Sequence, residues 1–334
     1  MAVFPLGKLP SDLLAELLAR HPIRDPRVIV GPQPGEDSAV LDVGTDTYLV
    51  AKSDPITFAT EEIGWYAVNV NANDIATTGG EPVWFMAVLL LPGGKTDKAL
   101  VDRIYDQITG ACAALDITLV GGHTEITYGI DRPIVSGTML GLVEKDRLVH
   151  TGSAQPGDVV IVTKGVPIEA TAIIAGEKSA ELRKTLPDEV IERCASYLHD
   201  PGISVVKDAC IAMEAGRVHA MHDPTEGGLA TALWEMADAS QMQLIVDPGQ
   251  AVLADGALLC EQFGLNPLGA IASGALLLSA HSDDAAGIIA ALGSENIAAF
   301  EIGRVQAGEP AVIDSRTGAV LARPARDEIA RLFE

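Results

Sequence analysis

Residues 62–91 read EIGWYAVNVNANDIATTGGEPVWFMAVLLL, and this stretch decides the fold. Its first half carries apolar residues at helical spacing, at Ile63, Tyr66, Ala67 and Val70. That spacing predicts a helix over residues 62–78, which the pair Gly79-Gly80 ends. The apolar run over residues 83–91 predicts a buried strand, because a membrane helix needs about 20 such residues.

Helices and strands alternate in the same way on both sides of this stretch. The order of elements predicts an α/β or α+β protein with two lobes. The segment TGSAQPG over residues 151–157 is typical of a linker, and the pattern of strands and helices begins again after it. We therefore expect one domain over residues 1–150 and a second domain over residues 151–334.

The composition excludes several classes of protein. Of the 334 residues 48% are hydrophobic, and the formal net charge is −23. The 23 lysines and arginines are scattered, so we expect no nucleic-acid surface. The N-terminus has no basic and apolar leader, and no apolar run is long enough for a membrane span, which predicts a cytoplasmic protein. The four cysteines form no CxxC pair, so we expect reduced, buried thiols.

Acidic residues stand where several of these elements end. Asp37 precedes a strand, and Asp54 ends the next one. Asn71 and Asp74 are three positions apart in the helix over residues 62–78, so they share a face. Each acid fits an ordinary turn or helix end. The polar pair in an apolar helix also fits a site for Mg²⁺ and phosphate, because a few carboxylates and phosphate oxygens hold this ion.

Two motifs that contain glycines complete this set. Residues 121–124, GGHT, are expected to form a loop after a buried strand, where glycines let backbone N–H groups approach a phosphate. Residues 222–228, HDPTEGG, lead into a helix predicted over residues 226–239. Asp223 or Thr225 would cap that helix, or its N-terminus would bind an anion with a metal beside the acids. The chain contains no Walker A sequence and no GxGxxG, GxSxG or HExxH motif.

Taken together, the motifs resemble a known superfamily. The segments GEDSAV, KSDP, NANDIATTGGEP, GGHTE and HDPTEGGLA occur in this order along nearly the whole chain. They are similar to the superfamily of aminoimidazole ribonucleotide (AIR) synthetase, thiamine-monophosphate kinase, selenophosphate synthetase and the hydrogenase-maturation protein HypE. HDPTEGGLA and NPLGAIASGALLLS most resemble the HypE-like group of AIR synthase-related proteins.

The resemblance implies a PurM-like two-domain fold, in which the N-terminal lobe forms a β-barrel across a homodimer and the C-terminal lobe is an α/β sandwich. It also implies ATP and Mg²⁺ as cofactors. By position, it assigns metal ligands at Asp37, Asp54, Asp74, Asp223 and Glu226. It assigns ATP or phosphate contacts at Lys52, Asn71, Gly121, Gly122, Thr124 and Thr225.

The chain departs from the family pattern at three places. Glu36 stands in the usual GDD motif, and His123 replaces the acid that usually precedes the threonine of GGDT, so that Glu125 is a possible substitute ligand. HypE ends in a cysteine that carries a carbamoyl group, whereas the last cysteine here is Cys260. We therefore do not expect HypE's thiocarbamate chemistry on a C-terminal thiol.

These observations predict an Mg-ATP-dependent enzyme that activates an oxygen of a small molecule or of a partner by phosphoryl transfer. His123 and His222 are the candidate catalytic residues, because they adjoin the motifs and titrate near neutral pH. One alternative is a small-molecule kinase that resembles thiamine-monophosphate kinase. Another is a non-catalytic ATP-binding partner in a maturation complex. We also expect a homodimer and a small-molecule substrate.

Overall fold

The computed structural model describes residues 9, 11–20, 22–32, 36, 38–57 and 61–333. They form two compact units. The N-terminal unit comprises Ile23–Pro32 and Glu36–Leu148. The C-terminal unit comprises Val149–Glu334 together with residues from the N-terminus, among them helix α1 (Ser11–Ala19). No helix in the described residues has the length and apolar character that crossing a membrane requires.

A six-stranded sheet is the centre of the N-terminal unit. Its elements are β1 (Val28–Val30), β2 (Ala39–Leu41), β3 (Thr47–Ile56), α2 (Ile63–Ala76), β4 (Glu81–Pro92), α3 (Lys98–Ala114), β5 (Thr118–Thr127) and β6 (Ile134–Glu144). The strand order is β1-β2-β3-β6-β4-β5, and only β4 and β5 are parallel neighbours. Helix α2 packs on β3, β6 and α3. The predicted helix over residues 62–78 and the strand that follows it are therefore confirmed.

The glycine motif of residues 121–124 lies inside β5, where a loop was expected. This prediction of a loop was wrong because parallel pairing with β4 continues through both glycines, with Gly122 opposite Ala87. A Cβ atom at Gly122 would lie 1.9 Å from the carbonyl oxygen of Ala87, so the close approach of the two strands requires glycine there. Strand β5 is also exposed along its length, where a buried strand was expected.

A second six-stranded sheet is the centre of the C-terminal unit. Its elements are β7 (Val159–Thr163), α4 (Ile168–Glu177), α5 (Ser179–Leu182), α6 (Asp188–Ala195), α7 (Val206–Ala215), β8 (Val218–His222), α8 (Gly228–Ser240), β9 (Gln243–Val246), α9 (Ala254–Gln262), β10 (Leu277–Ala280), α10 (Ala285–Ser294), β11 (Ala299–Gln306) and β12 (Ala311–Asp314). The strand order is β12-β9-β11-β7-β10-β8, antiparallel except between β12 and β9. A short 3-10 helix, Glu328–Leu332, follows β12.

The core of the C-terminal unit explains why these elements form. All five residues of β7 are buried, and Leu229, Leu233 and Met236 of α8 belong to the same apolar cluster. The expected linker over residues 151–157 is not a free connection. Thr151 is buried within the C-terminal unit, and its hydroxyl donates a hydrogen bond to the carbonyl oxygen of Met221 at 3.2 Å.

The cysteines are reduced, as expected, but not all of them are buried. Cys112, Cys194 and Cys260 are enclosed, whereas Cys210 is exposed on α7. Burial raises the pKa of Cys112 and Cys194 to about 11 and that of Cys260 to about 12. The three buried thiols are therefore poor nucleophiles at neutral pH, because the thiolate is the reactive form.

Candidate functional site

In the N-terminal unit, three charged side chains meet between β3 and α2. Lys52 Nζ lies 3.0 Å from Asp74 Oδ2 and 3.6 Å from Asp54 Oδ2. The Asp74 side chain is 4% exposed and that of Asp54 is 42% exposed, so the cluster reaches from the interior to the surface. One ammonium group thus stands between two carboxylates, which is where a metal cation would be held.

Strand β3, which contains Lys52 and Asp54, is longer than the sequence indicated. The sequence predicted that the strand ends at Asp54, but β3 continues to Ile56, opposite Val135 of β6. The expected turn fails to form because the ladder with β6 is uninterrupted from Thr47 to Ile56. Asp54 therefore takes its position from a regular sheet.

Asn71 holds the backbone beneath the cluster. Its Oδ1 accepts the N–H of Asp54 at 2.9 Å, and its Nδ2 donates to the carbonyl oxygens of Ala67 at 2.8 Å and Asp54 at 3.3 Å. The side chain is fully buried. The Asn71 amide thus joins β3 to α2. This role differs from the ATP contact that the resemblance assigned to Asn71.

Asp37, the remaining acid of the predicted metal set in this unit, lies outside the described residues. Its neighbour Ser38 is buried, and the Ser38 hydroxyl donates to the carbonyl oxygen of Asp74 at 2.9 Å. The chain therefore passes directly beside the carboxylate cluster at this point. Within the part of the chain that the structure describes, no three His, Cys, Asp or Glu residues are grouped closely enough to hold a metal ion.

The predicted residues on β5 form a separate, exposed group. His123 Nε2 lies 3.2 Å from Glu125 Oε2, and both side chains are about half exposed or more. The Thr124 hydroxyl is 2.8 Å from the hydroxyl of Tyr105 on α3. His123, Thr124 and Tyr105 line a shallow groove of about 560 Å³ with Gly121 and Gly122, whereas Glu125 lies outside it.

In the C-terminal unit, the motif of residues 222–228 joins β8 to α8. His222 ends β8 and is 4% exposed, and its Nε2 lies 2.8 Å from Glu235 Oε2 on α8. Asp223 is buried, whereas Thr225 and Glu226 are partly exposed. The histidine–glutamate contact ties the strand end to the helix across the motif. Glu235 was not among the predicted site residues, because nothing in its local sequence marks it.

Neither Asp223 nor Thr225 caps α8, which corrects the simpler of the two expectations for this motif. Gly227 precedes the helix in a left-handed conformation, and no side chain of the motif accepts a helix N–H. Instead Asp327 Oδ2, from the C-terminal segment, accepts the N–H of Gly227 at 2.6 Å. An internal carboxylate therefore fills the place at the helix N-terminus that was proposed for an anion.

Two buried carboxyls near this turn were missed by the sequence analysis. Burial raises the pKa of Glu169 on α4 to about 7, although hydrogen bonds from Ser273 lower it; the charges of Asp327 and Glu226 raise it further. Burial also raises the pKa of Asp327, against the effect of three backbone N–H groups. Glu169 is the one acid within the apolar stretch VPIEATAIIA, which was a usable signal of burial.

The predicted residues thus fall into three groups on two separate units. Lys52, Asp54 and Asp74 come together, with Asn71 as their support. The β5 residues form the second group, and the residues around α8 form the third.

Comparison with known proteins agrees with this architecture. The family models for AIR synthase related proteins match residues 35–143 with the N-terminal domain and residues 155–315 with the C-terminal domain. The chain therefore belongs to the AIR synthase related family. The carbamoyl dehydratase HypE of Rhodobacter capsulatus is 28% identical over 320 residues, which cover 93% of this chain and 90% of that protein. The prediction of an enzyme family related to HypE is confirmed.

Solved structures share the fold. HypE in its complex with HypF superposes with a TM-score of 0.74 at 20% identity, covering 93% of this chain and 99% of that one. ThiL complexed with AMPPCP and TMP gives 0.72 at 21% identity, covering 95% and 94%. HypE in complex with ATP gives 0.70 at 22% identity, covering 88% and 89%. The predicted PurM-like mixed α/β fold is confirmed.

Proposed function

We propose that this protein is an Mg-ATP-dependent enzyme, and that the cluster of Lys52, Asp54 and Asp74 is part of its Mg-phosphate site. The observation that carries the proposal is the enclosed Asp74 carboxylate, neutralised by a lysine from the neighbouring strand. Such a pair accepts a divalent ion readily, because Lys52 has a flexible side chain that can turn from the carboxylate to a phosphate oxygen.

The residues present fit the group that they would hold. Asp54 and Asp74 supply hard carboxylate oxygens, the donors that Mg²⁺ prefers, and Asp37 would complete the set by its place in the sequence motif. The ion, when bound, neutralises charge on the β- and γ-phosphate oxygens. Asn71 accepts the backbone N–H of Asp54 and so fixes the position of Asp54 on β3. Both carboxylates are therefore positioned before the ligand binds.

The test is calorimetric titration of ATP with Mg²⁺ into the wild type and Asp74→Asn. We expect the variant to bind at least about tenfold more weakly, because it removes a buried ligand charge. Asp102→Asn is the matched control, since Asp102 pairs with Lys98 on the surface of α3 in the same unit. Equal affinity of the wild type and Asp74→Asn, with both proteins folded, would contradict the assignment of Asp74 to the Mg-phosphate site.

For the reaction itself, we infer activation of a substrate oxygen by phosphoryl transfer. His222, held by Glu235, and His123 are the groups able to move a proton, while Asp223, Thr225 and Glu226 contribute to the metal and phosphate contacts. Support comes from the family, which contains the dehydratase HypE and the ATP-bound structure of that protein. Incubation with ATP and candidate amides or carboxylates, followed by phosphorus NMR, would detect the phosphate released.

A second candidate function is direct phosphorylation of a small molecule. The structure of ThiL with AMPPCP and TMP favours it, because that fold holds a nucleotide and a second phosphate compound together. A kinase yields ADP and a stable phosphorylated product, whereas oxygen activation yields ADP and free phosphate. A protein partner is also supported by the HypE–HypF complex. ATP turnover that appears only on adding such a partner would identify a maturation role.

We further propose a homodimer formed through β5. Among the described strands, β5 is the last in its sheet and pairs with β4 alone, and it exposes Val120 at 51% and Ile126 at 63%. Apolar side chains on an unpaired sheet edge are costly in water and favour pairing with another chain. The resemblance to the superfamily implies a homodimer that is joined through the N-terminal lobe.

Sedimentation velocity tests the dimer, with Ile126→Lys as the perturbation. We expect the wild type to sediment at twice the chain mass and the variant to shift towards the monomer. Val320→Lys is the control, because Val320 is also exposed at 60% but belongs to the C-terminal unit. A wild type that remains monomeric at micromolar concentration would contradict the proposal.

A further inference from the structure

The turn before α8 is held by a residue about a hundred positions away. Asp327 Oδ2 accepts the N–H of Gly227 at 2.6 Å, and Oδ1 accepts the N–H of Ile329 at 2.8 Å. One side chain thus joins the turn to the C-terminal 3-10 helix.

The turn has little else to fix its position. Gly227 and Gly228 both have left-handed φ angles, of 80° and 61°, which a flexible glycine pair can leave easily. Gly228 packs so closely on residues 268–270 that a Cβ atom would lie 2.5 Å from the carbonyl oxygen of Ala270. The turn therefore depends on its neighbours for its shape, and Asp327 is the neighbour that binds it through a charged hydrogen bond.

Asp327 occupies this place against electrostatic repulsion. Glu169 and Glu226 lie near enough for their charges to act on it or on one another. Among the described residues, no lysine, arginine or histidine forms an ion pair with Asp327, Glu169 or Glu226. The backbone N–H groups of Gly227 and Ile329 are therefore the groups that hold the Asp327 carboxyl in place.

We propose that Asp327 is a positioning residue of the candidate site: by holding the N–H of Gly227 it fixes the adjoining Thr225 and Glu226 in the geometry that Mg-ATP requires. This inference rests on the proposed function, which assigns Thr225 and Glu226 to that ligand. It makes the C-terminal segment part of the framework of the site. The carbonyl oxygen of Thr225 accepts the N–H of Gly228 at 2.9 Å, so displacement of Gly227 carries Thr225 with it.

The experiment uses the full chain and two measurements on Asp327→Ala, Asp327→Asn and Glu328→Gln. Calorimetry gives the affinity for Mg-ATP, and amide exchange gives the protection of Gly227. We expect Asp327→Ala to lose protection at Gly227 and at least about tenfold in affinity, as removal of a residue behind a metal ligand does. Asp327→Asn keeps an oxygen acceptor and recovers most of both. Glu328→Gln is the control, because Glu328 bonds Asn266 and Arg331 instead.

Two results would overturn the inference. One is an Asp327→Ala protein that stays folded and binds Mg-ATP as the wild type does. The other is unchanged exchange at Gly227 in that variant, whatever happens to affinity. If the wild type itself fails to bind Mg-ATP, the proposed function fails, and the exchange measurement still decides whether Asp327 holds the turn. If Asp327→Ala does not fold, the same comparisons are made with Asp327→Leu, whose side chain is of similar size and has no hydrogen-bond acceptor.

Discussion

Replacement of Glu169 by glutamine measures how much the negative charge of this buried side chain lowers the free energy of unfolding. Glutamine has the same shape and keeps an oxygen for the two hydrogen bonds from Ser273. The second oxygen of Glu169, Oε2, is enclosed and receives no hydrogen bond from the described residues. An ionised carboxylate with an unsatisfied oxygen is expensive in the interior. The folded protein therefore favours the protonated acid.

The magnitude follows from the two pKa values. Burial raises the pKa of Glu169 to about 7 from the usual 4.5, so folding takes up a proton between these values. For an acid whose folded pKa is raised, stability is greatest below the unfolded pKa and is lost as the pH rises through the folded one. By linkage, about 2 kcal/mol of stability disappears between pH 5.5 and pH 8.5. Glu169→Gln cannot titrate and should not lose it.

Urea unfolding of both proteins at pH 5.5 and pH 8.5 measures this difference directly. The free energy of unfolding of Glu169→Gln, relative to the wild type, should rise by about 2 kcal/mol from the lower to the higher pH. The cost of inserting an amide is the same at both pH values, so it drops out when the two differences are compared. Glu261→Gln, at an exposed glutamate of α9, should show no such rise. If Glu169→Gln and the wild type change in parallel, Glu169 is not protonated in the folded protein and the reasoning fails.

Three further outcomes follow from individual contacts. Gly122→Ala should lower the free energy of unfolding by about 3 kcal/mol, because its Cβ meets the β4 backbone, while Gly121→Ala, with open space, should be tolerated in the same urea assay. Asn71→Ala should cost about 2 kcal/mol by loss of buried hydrogen bonds, measured by thermal unfolding. Cys210 should react with a thiol reagent first, with one thiol counted before unfolding and four after it; early modification of a buried cysteine would contradict the structure.

Local pattern was enough to predict the elements that surround the site. The helix over residues 62–78 is found at Ile63–Ala76, and its partner strand is β4, because apolar spacing and a glycine stop are both local signals. Local signals failed at Gly121 and Gly122. Two glycines usually mark a turn, but pairing with β4 overrides that preference and carries the strand through them.

The sequence motifs identified the acidic residues of the site, but they did not identify the groups that contact those acids. Asp54 and Asp74 could be named from their sequence motifs, whereas the 3.0 Å contact that Lys52 makes with Asp74 depends on how α2 packs on β3. Asp327 could not be found at all. It lies in a polar segment of ordinary composition, and its role comes from a contact with Gly227, 100 positions earlier in the chain.

The excess of negative charge is met in two different ways by the two units. In the N-terminal unit, the Lys52 ammonium group neutralises the enclosed Asp74 carboxylate. In the C-terminal unit, Glu169 and Asp327 have backbone or hydroxyl donors and no basic partner in the described structure. For Glu169, whose pKa burial raises to about 7, a proton neutralises the carboxyl below that pH. We therefore expect a change of pH through about 7 to act on the C-terminal unit through Glu169, whereas Lys52 keeps Asp74 neutralised in the N-terminal unit.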